Sequence, residues 1–304
     1  MMVGSKHREL LLKDIFETNG DNMPFDLEVA LENVMDGNKG ASTISHLDDI
    51  IYDAFLQLPK IGEPRTLFRF TSLASKSEKD WNGEECFAFN DIKNCTLTFG
   101  APKLFNDPMD PLIKAWTDWR KVHFVDKLDK VLYKLVNGVL DRIRICCLAG
   151  PQFCGRQKRE PKIVDCNPLM WAHYANNHKG ICIQYRVKPE NMVDNANLIV
   201  RLLDVNYDKP FPLDGNIPFL DSLCVKGDFW RYEKETRLIM YVRGNTGNYV
   251  PKKGYEIETV YMGCRIENEK RNYLKQMLKG SNIRLYQMTF DESNITKLVA
   301  HEVK

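Results

Sequence analysis

Two carboxylates stand two positions apart in the stretch FWRYEKETRLIMYV, residues 229 to 242: Glu233 and Glu235, with Arg237 two positions further on. Extended backbone sends successive side chains to opposite faces and rises ~3.3 Å per residue. A strand from Glu233 to Val242 therefore puts all three on one face, with the carboxylates' backbone origins ~7 Å apart. On a helix the same glutamates would diverge by ~200° around the axis. The β-branched and aromatic residues downstream, and the glycines of RGNTGNY after them, favour the strand. Carboxylates that share one space repel, which raises one pKa and suits acid or base work. The competing reading is a solvated strand edge on which Arg237 neutralises both.

Other residues could complete a site. In LFRFTS, Arg69 lies between two aromatics, where its guanidinium must reach solvent, a carboxylate or a bound phosphate. The stretch LTFGAPKLFNDPMDP joins a strand to a proline-punctuated loop, and Asn106 and Asp107 before Pro108 are turn formers as well as polar site candidates. In DCNPLMWAHYANNHKGICIQY, Asn167 and Pro168 open a helix, Met170, Trp171 and Tyr174 fill a packing face, and His173 points elsewhere. Asn176, Asn177 and His178 then make a polar helix end beside a strand, a possible ligand edge. His173 and His178 have a zinc-like spacing, with Cys154 and Cys166 upstream, but the chain contains no CxxC, so no metal is expected.

These residues need elements to position them. Strand-like runs recur as TLFRFTS, CTLTFGA, RIRICCLA, GICIQYRV, RLLDVNY, TRLIMYV, ETVYMG and IRLYQMTF. Helices are expected from Asp110 to Leu140, Pro168 to Asn176 and Glu267 to Lys279. Without a βαβ rhythm or an internal repeat, the pattern predicts an α+β fold with a mixed, mainly antiparallel sheet. Before it, residues 1–62 read as three amphipathic helices, an N-terminal helical cap, and Pro64 marks the change to the α+β domain of residues 63–304.

Composition narrows the classes. With 43% hydrophobic and 28% charged residues among 304, the chain reads as folded. Its +2 charge gives no general attraction to nucleic acid or an anionic membrane. GRQKREPK gathers Arg156, Lys158, Arg159 and Lys162 in what reads as a solvated loop. No apolar run reaches the ~20 residues of a membrane span and MMVGSKHRELLLKDIF is no signal peptide, so a cytoplasmic protein is expected. Its nine scattered cysteines fit reduced core thiols.

LFRF, LTFGAPKLFNDPMDP, PLMWAHYANNHKGICIQY and KGDFWRYEKETRLI, in that order, resemble the bacterial family known as domain of unknown function 2971, from about Leu67 to Gly263. More distantly, a strand arginine, a polar middle strand and a glutamate opening a late strand are similar to the ADP-ribosyltransferase fold. That resemblance implies NAD as substrate. Arg69 would contact its diphosphate or ribose, Glu235 would hold a ribose hydroxyl and stabilise the oxocarbenium ion, and Glu233 would activate the acceptor. The Ser-Thr-Ser element of many such transferases is missing, and Thr96 and Thr98 are the nearest substitutes. Asn106 and His173 would border the cofactor, and Lys226 would pair with phosphate.

Three readings follow. The first is an ADP-ribosyltransferase-like enzyme with a nucleic acid or protein acceptor, by analogy a toxin or phage-defence effector. The second is a hydrolase that uses the paired carboxylates on a glycosidic or N-glycosidic bond. The third is a non-catalytic sensor or interaction module.

Overall fold

A computed structural model describes residues 40–74, 81, 83–107, 109–111, 137–150, 168–207, 222–244 and 247–303. In chain order its elements are α1 (Gly40–Gln57), β1 (Arg65–Thr71), α2 (Phe87–Asn94), β2 (Thr96–Gly100), β3 (Ile143–Ala149), α3 (Pro168–Tyr174), β4 (Ile181–Val187), β5 (Asp194–Asn195), β6 (Leu198–Asp204), β7 (Glu235–Val242), β8 (Tyr249–Lys253), β9 (Glu256–Met262), α4 (Asn268–Met277), β10 (Arg284–Asp291) and β11 (Asn294–Glu302). The strands form one sheet in the order β11-β10-β9-β4-β1-β3-β7-β6-β5, with β2 paired to both β3 and β8. The class is α+β. Strand pairs are antiparallel except β9 with β10, where α4 supplies the crossover that a parallel pair requires.

The central strands are apolar on both sides because both faces of the sheet are covered. On the first face, Leu67 of β1, Ile181, Ile183 and Tyr185 of β4, and Leu238 and Met240 of β7 pack with Phe89 and Ile92 of α2 and Leu274 of α4. On the second face the core is divided. One part gathers Ile51 and Phe55 of α1 over Ile143, Ile239 and Tyr241. The other gathers Met170 and Trp171 of α3 over Phe68, Ala149 and Cys182. Between them, Cys147 of β3 faces its register partner Arg237 of β7, and no apolar side chain of either cluster takes their place. That gap holds the candidate site.

Two details tie α3 to the sheet. Asn176, Asn177 and His178 all have positive φ, 47°, 53° and 67°, a left-handed turn that reverses the chain into β4. Gly180 and Gly263 let this turn pass close by: a Cβ on Gly180 would lie 2.2 Å from the Thr71 carbonyl oxygen, and one on Gly263 would lie 2.1 Å from that of His178.

The expected helices after Pro168 and Glu267 are present, while the helix expected over Asp110–Leu140 lies mostly outside the described residues, as do Asn167 and the basic loop of residues 155–162. Of the expected N-terminal helices only the last is described. It shares a core with β3 and β7, with Phe55 fully buried and stacked on Tyr241 at 5.3 Å. Full burial of one such side chain stabilises by ~1.5–3 kcal/mol. No helix among the described residues is long and apolar enough to cross a membrane.

Candidate active site

The carboxylate pair is positioned differently from the strand geometry the sequence suggests. Glu233 closes a 3-10 helix, Asp228–Glu233, Lys234 takes φ 45°, and β7 begins only at Glu235. The left-handed residue ends that helix and turns the chain into the sheet. Gly150 accepts this close approach, its N–H donating to the Lys234 carbonyl at 2.7 Å. Despite the turn, Glu233 and Glu235 reach one space, and strand alternation sends Arg237 there too.

That space is buried. Arg237 is 0% exposed, Glu233 3% and Glu235 6%, which overturns the solvated-edge reading. The Lys226 ammonium donates to Glu233 Oε2 at 2.6 Å and to Glu235 Oε2 at 3.1 Å, and lies 3.6 Å from Asp110 Oδ2. Arg237 Nε donates to Glu235 Oε1 at 2.7 Å. Its Nη2 donates to both Asp110 oxygens at 2.7 Å, and Nη1 to the Leu223 carbonyl at 2.5 Å. The Tyr174 hydroxyl donates to Glu233 Oε1 at 2.5 Å. Three carboxyls thus surround two cations.

The environments push the carboxyls apart. Burial raises the Glu233 pKa, and Lys226 and the Tyr174 hydroxyl only partly oppose it. Asp110 is likewise raised, by burial first and by the Glu235 charge, with Arg237 working against both. At Glu235 burial also opposes ionisation, but Arg237 and Lys226 together outweigh it and bring the pKa down to about 2. Lys226 is raised: burial works against its charge, and Glu235, Asp110 and Glu233 overcome it. Glu235 is therefore a fixed negative charge beside a carboxyl, Glu233, that holds its proton more firmly.

A cavity of about 260 Å3 opens onto this cluster. Asp110, Glu233, Glu235 and Lys226 line its polar side, and Phe68, Phe70, Phe105, Met170 and Trp230 its apolar side. The aromatics carry the cations: Lys226 Nζ lies 4.9 Å from the Trp230 ring centroid, and the Arg237 guanidinium 5.6 Å from that of Phe105.

Of the polar site candidates named in the sequence, Glu233, Glu235, Lys226, Asn106 and Asp107 line this cavity. Lys226 is neither solvated nor open to a phosphate, because three carboxylates hold it with 7% of its side chain exposed. His173 is exposed at the margin, its ring 6.1 Å from Trp230. Arg69 and Thr98 are elsewhere. Arg69 shares the parity of Leu67 and faces the first side of the sheet, where its Nη1 donates to Asp91 Oδ2 at 2.9 Å. Asp91 also accepts the Thr96 and Thr98 hydroxyls at 2.6 and 2.7 Å. Arg69 and Glu235 therefore do not share a pocket.

Asp107 keeps the turn role its type suggests, accepting the Met109 N–H at 2.8 Å. Three site residues escape a reading by type. Asp110 sits in PMDP, where aspartate before proline reads as a turn former; Tyr174 reads as a packing residue of α3; Cys147 reads as a core thiol of β3 but faces the cavity, unlike buried Cys146. The parity of RIRICCLA, with Ile143 and Ile145 on one face and Cys146 on the other, is the signal that separates the two cysteines. Among the described residues no group of three or more His, Cys, Asp or Glu is placed to hold a metal, and Cys154 and Cys166 lie outside them.

Residues 170–238 match the family described as protein of unknown function (DUF2971). This stretch is similar to that family. The DUF2971 match is narrower than the resemblance from Leu67 to Gly263, and it covers α3 from Met170 onward, β4, Lys226 and the Glu233–Arg237 segment but not Arg69 or Asp110. No curated protein and no solved structure matches the chain.

Proposed function

We propose that the cavity is an active site that hydrolyses an N-glycosidic bond through an oxocarbenium-like transition state. One observation carries this reading: two carboxyls of opposite protonation tendency, Glu233 and Glu235, meet on one buried lysine at the wall of an aromatic cavity. Glu235 keeps its charge over the whole working pH range and is too weakly basic to take a proton. Its use is to face positive charge developing on the sugar ring, where a preorganised carboxylate in a water-poor site stabilises the transition state. Glu233 exchanges the proton, with the departing group or with the attacking water. Phe70, with Trp230 and Phe105 beside it, lines the cavity with aromatic surface suited to a planar base.

ADP-ribosyl transfer from NAD shares this transition state and keeps Glu235. It loses the arginine it requires, because Arg69 is bound to Asp91 on the opposite face of the sheet. The acceptor proposed here is accordingly water rather than a nucleic acid or protein. The test is incubation with nucleosides, NAD and single-stranded oligonucleotides, followed by chromatography of free base and free sugar. Release of base without ADP-ribosylation of added protein or nucleic acid is the expected result. Mass transfer of ADP-ribose to an acceptor would restore the transferase reading.

A further inference from the structure

The charge of the cavity and the chemistry of its walls restrict what can leave. Asp110, Glu233 and Glu235 supply three ionisable acids against the two cations Lys226 and Arg237, and both cations are already engaged by those acids. A second anion would meet net repulsion with no open cation among the described lining residues to receive it. A cation would complete the balance. The walls suit one as well, since the faces of Trp230 and Phe105 already hold an ammonium and a guanidinium. The cavity of about 260 Å3 lies below the ~300–1,000 Å3 usual for drug-sized ligands, which favours a single nucleoside over a dinucleotide.

Resting on the N-glycosidic reading above, we infer that the substrate is an N-glycoside whose departing ring carries a fixed positive charge, such as an N-ribosylpyridinium or an N-alkylated purine nucleoside, bound without a phosphate in the cavity. The electron pair of the breaking C–N bond goes to the ring nitrogen and neutralises it, so the base leaves with no proton added. The oxocarbenium carbon left behind faces Glu235. Water adds to it, its proton passes to ionised Glu233, and the products are neutral base, free sugar and one proton released to solvent.

Binding and cleavage test this separately. Calorimetry at 10 °C compares two pairs that differ mainly in ring charge, 7-methylguanosine at pH 6 with guanosine and nicotinamide riboside with its reduced neutral form, and then the 5′-phosphate of each charged member. At least one charged nucleoside should bind about tenfold more tightly than its neutral partner. Adding the phosphate should weaken it, and Trp230→Leu should shrink the charge preference. Equal or weaker binding of both charged members, no binding by any of the four, or tighter binding of the phosphates overturns the inference. Base release, read by chromatography, judges the underlying reading: charge preference without cleavage keeps only the cavity's selectivity for a cationic nucleoside and overturns both the hydrolase and its substrate, and equal cleavage of charged and neutral members keeps the hydrolase and overturns the charged substrate.

Discussion

The sheet carries two buried ionic networks, one on each face, and they differ in balance. On the first face, Asp91 is 2% exposed and receives four donors: the Arg69 guanidinium, the Thr96 and Thr98 hydroxyls and the Thr98 N–H. One acid meets one base, and the carboxylate is saturated. On the second face, three acids meet two bases beside a cavity. The first arrangement holds α2 and β2 to the sheet. The second pushes the pKa of Glu233 up by burial and holds that of Glu235 down through Arg237 and Lys226, which is what a site needs and a fastener does not. Residue type alone does not separate the two; balance and access to a cavity do.

Breaking the second network at its centre should have the largest effect. Arg237 is fully buried and neutralises Glu235 and Asp110 together, so Arg237→Met leaves two buried acids without their main partner. Removing one partner of a buried pair costs ~3–5 kcal/mol, and two acids are stranded here. We expect urea denaturation to show a loss at the top of that range or above, together with loss of turnover. Breaking the first network should separate stability from chemistry. Asp91→Ala strands the Arg69 guanidinium and two threonine hydroxyls, at about 3 kcal/mol, yet base release per folded molecule should match the parent protein. A turnover defect there would mean that the two networks are not independent.

The pH profile sharpens the contrast. Glu233 must be ionised to take a proton from water, and its pKa is raised above the ordinary 4.5. The rate on a charged N-glycoside should therefore rise with pH through a value above 4.5, and Glu233→Gln should flatten that limb. Stability runs the other way for this group: the fold favours protonated Glu233, so its contribution is complete below the unfolded pKa and is lost as pH rises through the folded one. Tyr174→Phe is the smallest change. It removes one hydrogen bond to Glu233, worth ~1 kcal/mol, and because that bond favours the ionised form, the rising limb should move to higher pH.

Much of this architecture is legible in the residues. β4, β7 and β10 announce themselves by β-branched and aromatic runs, and α4 by its period. β11, NITKLVAHE, is an exposed edge strand with only Leu298 well buried, so it carries no core-facing pattern to read. α2, FAFNDIKN, is eight residues with polar interruptions, and tertiary packing of Phe89 and Ile92 stabilises it rather than propensity. At the site, the proximity of Glu233, Glu235 and Arg237 follows from spacing, though a 3-10 turn rather than a strand delivers Glu233. Asp110 lies 127 residues from Arg237 in the chain, and no local pattern could pair them. The misplacement of Arg69 has a plain cause: period two puts Arg69 and Phe70 on opposite faces, and which face holds the cavity depends on how α3 and β7 pack.

Glu235→Gln gives the most direct test of the central claim. The substitution preserves shape and some hydrogen bonding but removes the charge that faces the developing cation. Circular dichroism establishes that the variant is folded, and chromatography measures free base released from charged and neutral N-glycosides. The account predicts release of base and sugar in equal amounts by the parent protein and a fall of about 100- to 1,000-fold in the folded variant. No release by the parent protein, or comparable release by folded Glu235→Gln, would contradict it.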